Sequence, residues 1–261
     1  SLAMDALMEL AKINTRTLEQ TTLPLLLEKL PDQMPAYEAN VMDSGKQNGS
    51  SASQALSKGE IRERTAIRRS LGAISRFGMH SDLFDILIVK LLTKFDLAVA
   101  PTCKTEKHRA ANVGYARGLI SSFFTIVQEK EKRGDRDLGK YALNSIPRLL
   151  STMLAHVLQP QKQSLAPVSA DQALIRDVGS LLMLFSRSLS VEKQKDLARR
   201  LRLAIEEGNI SELLEQPRYK PAAGSTPFAP IFSSSGGASP RADQREIWYL
   251  LVSLQLPLKK A

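Results

Sequence analysis

Residues 60–96 carry the hydrophobic pattern that most constrains the fold of this 261-residue chain. In the first half of this stretch, apolar residues recur at steps of three and four, which is typical of one stripe of an α-helix. Gly78 ends the stripe, and Ser81 is predicted to be the N-cap of a second helix with a wider stripe. Two such helices bury their apolar faces only by stacking on similar pairs, as in helical solenoids of the HEAT or armadillo type. The two stripes comprise Ile67, Leu71, Ile74 and Phe77, then Leu83, Phe84, Leu87, Ile88, Leu91, Leu92 and Phe95.

The composition of the chain favours an all-α protein. Hydrophobic residues make up 43% of the chain but aromatic residues only 5%, so the core must be mostly aliphatic, as helix-on-helix packing prefers. No run of about 18 uncharged apolar residues occurs, and the first residues lack the pattern of a signal peptide. We therefore expect a soluble protein without membrane contact. The chain has no initiator Met and opens inside an apparent helix, so we expect it to be a piece of a longer protein.

The pattern predicts a HEAT-like or armadillo-like solenoid of antiparallel helix pairs, divided into five segments. The segment 31–58 is interpreted as a disordered loop insertion and 217–242 as a flexible linker, because both are poor in large apolar residues. A proline enters an apolar run in the same way at Pro24 and Pro147, which suggests repeats of roughly 40 to 47 residues. The segments are a helical repeat at 1–30, the insertion at 31–58, further repeats at 59–216, the linker at 217–242 and a terminal helix at 243–261.

Several polar residues and one glycine are predicted to mark helix ends. Thr17 is predicted to cap a helix that Pro24 kinks, since proline removes a backbone donor. Ser169 and Gln172 have the spacing of a capping box. The remaining predictions are Ser190 as the N-cap of the next helix and Gly134 as the stop of a long helix.

No motif in the sequence points to catalysis or to a bound cofactor. There is no Gly-rich phosphate loop, and the histidines His80, His108 and His156 fall in different elements. A zinc or iron–sulfur site needs several converging Cys or His ligands, and the chain has one cysteine, Cys103. A single reduced cysteine is typical of the cytosol or nucleus. We therefore expect a non-enzyme without metal or cofactor.

The chain is basic, with a formal net charge of +9, so acidic proteins or nucleic acids are possible partners. The basic residues are partly interleaved with acidic ones, as on solvated helix faces. Direct binding of nucleic acid is the less favoured interpretation, because the sequence has no recognised motif and few aromatic residues for stacking. The predicted partner-binding residues are Arg64, Arg68, Arg69, Arg199, Arg200 and Trp248.

Two stretches of the sequence resemble a known family. Residues 22–32, TLPLLLEKLPD, are followed after the loop by residues 70–96, SLGAISRFGMHSDLFDILIVKLLTKFD. Together they resemble the methyl-methanesulfonate-sensitivity family of DNA-repair and transcription proteins. The resemblance is looser to about Glu207, and it implies a HEAT-repeat fold. The chain is shorter than the family's usual length and resembles an interior portion.

The resemblance implies a non-catalytic scaffold of the cytosolic iron–sulfur targeting complex. In that family the scaffold works with a WD40-propeller subunit and a small acidic-loop assembly factor. It presents clusters to apo-proteins of DNA repair, replication and transcription in the cytoplasm and nucleus. A general HEAT adaptor, of the nuclear-transport type, is the main alternative. On either interpretation, reversing the charge of both Arg68 and Arg69 is expected to weaken partner binding without unfolding the chain.

Overall fold

All regular structure in the part of the chain that the structure describes is helical, which confirms the predicted all-α class. The computed structural model describes residues 9, 13–36, 58–78, 80–100, 103–135, 137–158, 165–207, 210–214 and 242–254. We label the helices α1 (residues 15–28), α2 (Lys58–Phe77), α3 (Ser81–Val99), α4 (Glu106–Arg133), α5 (Leu138–Leu158), α6 (Gln172–Ser188), α7 (Val191–Glu207) and α8 (Ala242–Ser253). Short 3-10 helices occupy Val168–Ala170 and Ser211–Leu213. None of the described helices has the length and apolar character needed to cross a bilayer.

The helices form two layers. The first row consists of α2, α4, α6 and α8, whose neighbours in the row approach each other closely. The second row contains α3 and α5, which pack on α4 and α6 respectively. The closest sequential pairs are therefore α3 with α4 and α5 with α6, rather than α2 with α3. Helix α7 packs mainly against the 3-10 helix Ser211–Leu213.

Helices α2 and α4 of the first row run parallel. Lys107 Nζ of α4 lies 3.1 Å from Glu60 Oε1 of α2, and a Cβ on Gly118 would lie 3.2 Å from the Leu71 side chain. Both contacts join residues 47 positions apart, 60 to 107 and 71 to 118. A constant offset along two helices means that they have the same direction. This is the arrangement of successive repeats in a helical solenoid.

The predicted apolar stripes of residues 60–96 form the core between the rows. Ile74, Leu83 and Leu87 are completely buried, and the rest of both stripes is buried as well. Burial of each large aliphatic side chain contributes about 1.5–3 kcal/mol. The core continues into α4, α5 and α6 without interruption. Both predicted stripes are therefore buried, although α2 and α3 contribute them to one core shared with other helices rather than packing closely on each other.

Helix α1 contains a π-helical stretch, Leu18–Thr22, just before Pro24. There the backbone N–H of Leu23 donates to Leu18 O, five residues back, because Pro24 cannot donate to a carbonyl in the preceding turn. The predicted distortion at Pro24 therefore takes the form of a widened turn. The N-cap is Asn14, whose side chain accepts from Thr17 N at 3.1 Å, so the prediction of Thr17 as the cap was wrong.

Two other caps differ from those predicted. His80, not Ser81, is the N-cap of α3: its extended backbone lets its carbonyl accept from Phe84 N at 3.0 Å. Asp171, not Ser169, caps α6, since its carboxylate accepts from the amides of Ala173 and Leu174. A carboxylate at a helix N-terminus also interacts favourably with the helix dipole, which gives it the advantage over a hydroxyl.

The predicted ends at Ser190 and Gly134 are present. Ser190 precedes α7, and Lys193 N lies 3.5 Å from Ser190 Oγ. Gly134 ends α4 in the left-handed conformation, with φ 73°, where a residue with a side chain would be strained.

Residues 31–36, which the sequence analysis assigned to the disordered insertion, are packed against α4. Met34 is 3% exposed, its amide donates to Asn112 Oδ1 at 3.0 Å, and its carbonyl lies 2.9 Å from His108 Nε2. Tyr115 OH donates to Pro31 O at 2.6 Å. We call residues 31–36 the strap. Its backbone polar groups find partners on one helix, so the disorder assignment was wrong for these six residues; residues 37–57, the linker 217–241 and most of 1–12 lie outside the described residues.

Candidate protein-binding face

The outer surface of α2 carries a regular stripe of arginines. Arg62, Thr65, Arg69, Gly72 and Arg76 are all exposed, and their spacing of three and four places them on one face of the helix. The three arginines recur every seven residues, which separates successive guanidinium groups by about 10 Å along the axis. None of the three forms an ion pair with a residue that the structure describes.

The neighbouring stripe on α4 is built almost entirely of small residues. Ala110, Gly114, Ser121 and Thr125 are exposed, with Arg117 between them. A Cβ added at Gly114 would meet nothing within 4 Å, and the same holds for Gly72 on α2. Few side chains therefore project from this part of the surface. We call its small exposed residues, Gly72, Ala110, Gly114, Ser121 and Thr125, the floor.

Arg117 joins α4 to the next helix of the first row. Its Nε donates to Asp177 Oδ2 of α6 at 2.6 Å, and this hydrogen bond raises the pKa of the arginine. Two further arginines on α6, Arg176 and Arg187, are exposed. We call the set Arg62, Arg69, Arg76, Arg117, Arg176 and Arg187 the arginine face.

The parallel register of α2 and α4 brings parts of this face together. With an offset of 47 residues, Arg69 on α2 is level with residue 116 on α4, so Arg69 and Arg117 lie at the same height of the two helices. Gly72 and Gly114 each lie within about one turn of that level. Exposed arginines and exposed small residues of adjacent repeats thus lie at similar heights along α2 and α4.

The structure does not bring the predicted partner-binding residues into one site. Arg68 and Arg69 are exposed on α2, and Arg64 on the same helix is half-buried. Arg199 and Arg200 lie on α7 and are engaged by Asp196, at 3.2 Å and 2.7 Å respectively. Hydrogen bonding from Arg200 lowers the pKa of the Asp196 carboxyl. The side chain of Trp248 lies outside the described residues.

Arg62, Arg76, Arg117, Arg176 and Arg187 were not among the partner-binding residues predicted from the sequence. The seven-residue interval of Arg62, Arg69 and Arg76 was visible in the sequence and could have identified the α2 stripe. The contribution of α4 and α6 could not be found this way, because it depends on the register between helices.

Two of the residues considered for chemistry, Cys103 and His108, occupy structural positions. Cys103 is buried, and this desolvation raises the pKa of its thiol, which keeps it protonated at neutral pH. His108 holds the strap, and the side chain of His156 is not described. Among the described residues no group of three or more His, Cys, Asp or Glu side chains could hold a metal ion.

The described helices define an all-α helical-repeat protein in which α2 exposes a row of three arginines without ion pairs among the described residues. Residues 70–256 match the family model described as RNAPII transcription regulator C-terminal, which is the model of the MMS19 family. Because the match covers more than half of the chain, the chain belongs to this family and is a transcription- and repair-related helical protein. No match was found among curated proteins or among solved structures.

Proposed function

We propose that the chain is part of a non-catalytic scaffold of the cytosolic iron–sulfur assembly machinery. In this role it binds a WD40-propeller subunit and a small assembly factor in the cytoplasm and nucleus. The complex presents iron–sulfur clusters, as cargo, to apo-proteins of DNA repair, replication and transcription. The observation that carries the proposal is the family match over residues 70–256.

The geometry is compatible with this role because stacked repeats expose surface that packing does not use. Helices α2, α4 and α6 bury one face each in the core and expose the opposite face. Extended surfaces of this kind are how helical solenoids bind other proteins. The cationic side chains of the arginine face can accelerate encounter with acidic partners.

Co-purification from cells tests the proposal. A tagged copy of the chain is expressed, and the proteins that it captures are quantified by mass spectrometry. We expect the propeller subunit and the small assembly factor to be enriched above an unrelated helical-repeat bait. Capture of transport factors without these two subunits would instead support a general HEAT adaptor.

The same experiment with two arginines of α2 replaced by glutamate tests whether their positive charge is needed for capture. Arg68→Glu with Arg69→Glu is expected to reduce capture of both subunits at least threefold, because these exposed side chains lie on the basic first row. The control is Lys90→Glu with Lys104→Glu, which changes the net charge equally at exposed positions outside α2. Thermal unfolding of both variants should match the parent chain; equal capture by both variants would contradict a role for Arg68 and Arg69.

A further inference from the structure

The exposed glycines of the first row have no intramolecular explanation. Gly72 lies inside α2 and Gly114 inside α4, and each faces open space. Glycine inside a helix is less stable than alanine, since it loses more backbone freedom on folding. Gly118 and Gly139, by contrast, lie where a side chain would press on a neighbouring helix. A partner that approaches the backbone closely at Gly72 and Gly114 would account for their lack of a side chain.

The charges around these glycines indicate what such a partner carries. Arg62, Arg69 and Arg76 are exposed and unpaired among the described residues, and Arg117 of α4, level with Arg69, is held by Asp177 of α6. Asp177 already accepts a hydrogen bond from Arg117, so its negative charge does not neutralise the arginines of α2. Guanidinium groups bind carboxylates with two parallel hydrogen bonds. The partner surface should therefore be acidic.

The spacing of the charges indicates the shape of the partner. The α2 arginines recur at the heptad interval, about 10 Å, and an α-helix with acidic residues seven apart has the same repeat. Where the contact surface consists of small residues, the axes of two packed helices can approach to the short end of the usual range of about 8–10 Å. Helices α2, α4 and α6 expose no aromatic side chain for stacking on bases. The features together favour a helix over a nucleic acid.

We propose that the arginine face binds an acidic α-helix of a partner protein, which lies along α2 over Gly72 and Gly114. Carboxylates at seven-residue intervals on that helix pair with Arg62, Arg69 and Arg76. This inference rests on the proposed function for the existence of a protein partner. It does not depend on which protein that partner is.

Fluorescence anisotropy with designed peptides tests the inference. The probe is a labelled helical peptide with glutamates every seven residues on one face, compared with a scrambled peptide of identical composition. We expect the ordered peptide to bind at least fivefold tighter than the scrambled one to the full chain. Equal affinities would overturn the inference, since they would show only non-specific attraction between opposite charges.

Variants separate the contributions of charge and shape. Arg69→Glu with Arg76→Glu should weaken binding of the ordered peptide at least tenfold, and the Lys90→Glu with Lys104→Glu control should leave it within twofold. Gly72→Leu with Gly114→Leu keeps every charge but fills the floor, and should also weaken binding at least tenfold. Circular dichroism and thermal unfolding establish that each variant is folded. Unchanged binding by the leucine variant would overturn the close approach of a helix.

A labelled DNA duplex and an RNA strand are measured in parallel at two salt concentrations. Tighter binding of either nucleic acid than of the ordered peptide, with the same dependence on Arg69 and Arg76, would replace the helix by a nucleic acid as the occupant. Peptide binding without co-purification of the propeller subunit would keep this inference and reject the proposed function. Co-purification without peptide binding would do the reverse.

Discussion

Arg69 of the first row and Arg148 of the second row lie in opposite environments. On the first row, Arg69 extends into solvent without an ion pair among the described residues. On the second row, Arg148 of α5 donates to Asp96 of α3 at 2.8 Å and 3.0 Å and to Thr93 Oγ1 at 3.0 Å. Both Arg148 and Asp96 have side chains less than one-fifth exposed. Arg148 therefore joins two helices of the second row, whereas Arg69 remains available to partners.

Removing the second-row bridge should have the largest effect on stability. Arg148→Ala leaves Asp96 half-buried without its cation, and we expect the free energy of unfolding to fall by about 2–3 kcal/mol, as for hydrogen bonds to charged groups. The matched change on the first row, Arg69→Ala, should stay within about 0.5 kcal/mol of the parent, since exposed substitutions have small effects. Urea denaturation measures both values. Equal losses would remove the distinction between the rows.

Gly139 of the second row and Gly114 of the first row also differ in how closely neighbouring atoms approach them. A Cβ at Gly139 would lie 2.8 Å from Ser188 O, where α5 meets the end of α6, so Gly139→Ala should destabilise the chain by about 1–3 kcal/mol. Gly114→Ala enters open space and should stabilise the chain by about 0.5–1 kcal/mol. The midpoint of urea unfolding reports both shifts. A destabilising Gly114→Ala would show that its space is needed within the chain itself.

Tyr115 of α4, which holds the strap, should make a smaller, pH-dependent contribution to the free energy of unfolding. Burial, with a smaller contribution from Asp32, raises the pKa of Tyr115 above its ordinary value near 10. The neutral phenol is therefore favoured in the folded state, and its stabilisation is complete below about pH 10 and is lost at higher pH. Tyr115→Phe removes the hydrogen bond to Pro31 O and should cost about 1 kcal/mol at pH 8.

The measurement is the difference in unfolding free energy between Tyr115→Phe and the parent at pH 8 and pH 10.5. The difference should shrink at the higher pH, because only the parent then loses stability through ionisation of Tyr115 in the unfolded chain. Using a difference cancels the titration of lysines common to both proteins. A gap that stays constant would contradict the raised pKa.

Different levels of the fold were accessible from the sequence to different degrees. The stripes of α2 and α3 were predictable because burial imposes a 3.6-residue period on every core helix. The caps were less predictable, since Asn14 and Asp171 competed with nearby threonine and serine residues of similar propensity. The strap was missed because it begins a segment, 31–58, that is poor in large apolar residues. Its order depends on His108, Asn112 and Tyr115, more than 70 residues away in the sequence.

The sequence by itself determined that the chain is helical, which residues form its core and to which family it belongs. Each of these depends on local periodicity or on residue order. Only the tertiary structure decided that α2 and α4 run parallel at an offset of 47 residues. Register between helices arises from side-chain packing between distant segments, and no local pattern encodes it. Through that register Arg69 comes level with Arg117, whereas Arg148 is held by Asp96 and is not available to a partner.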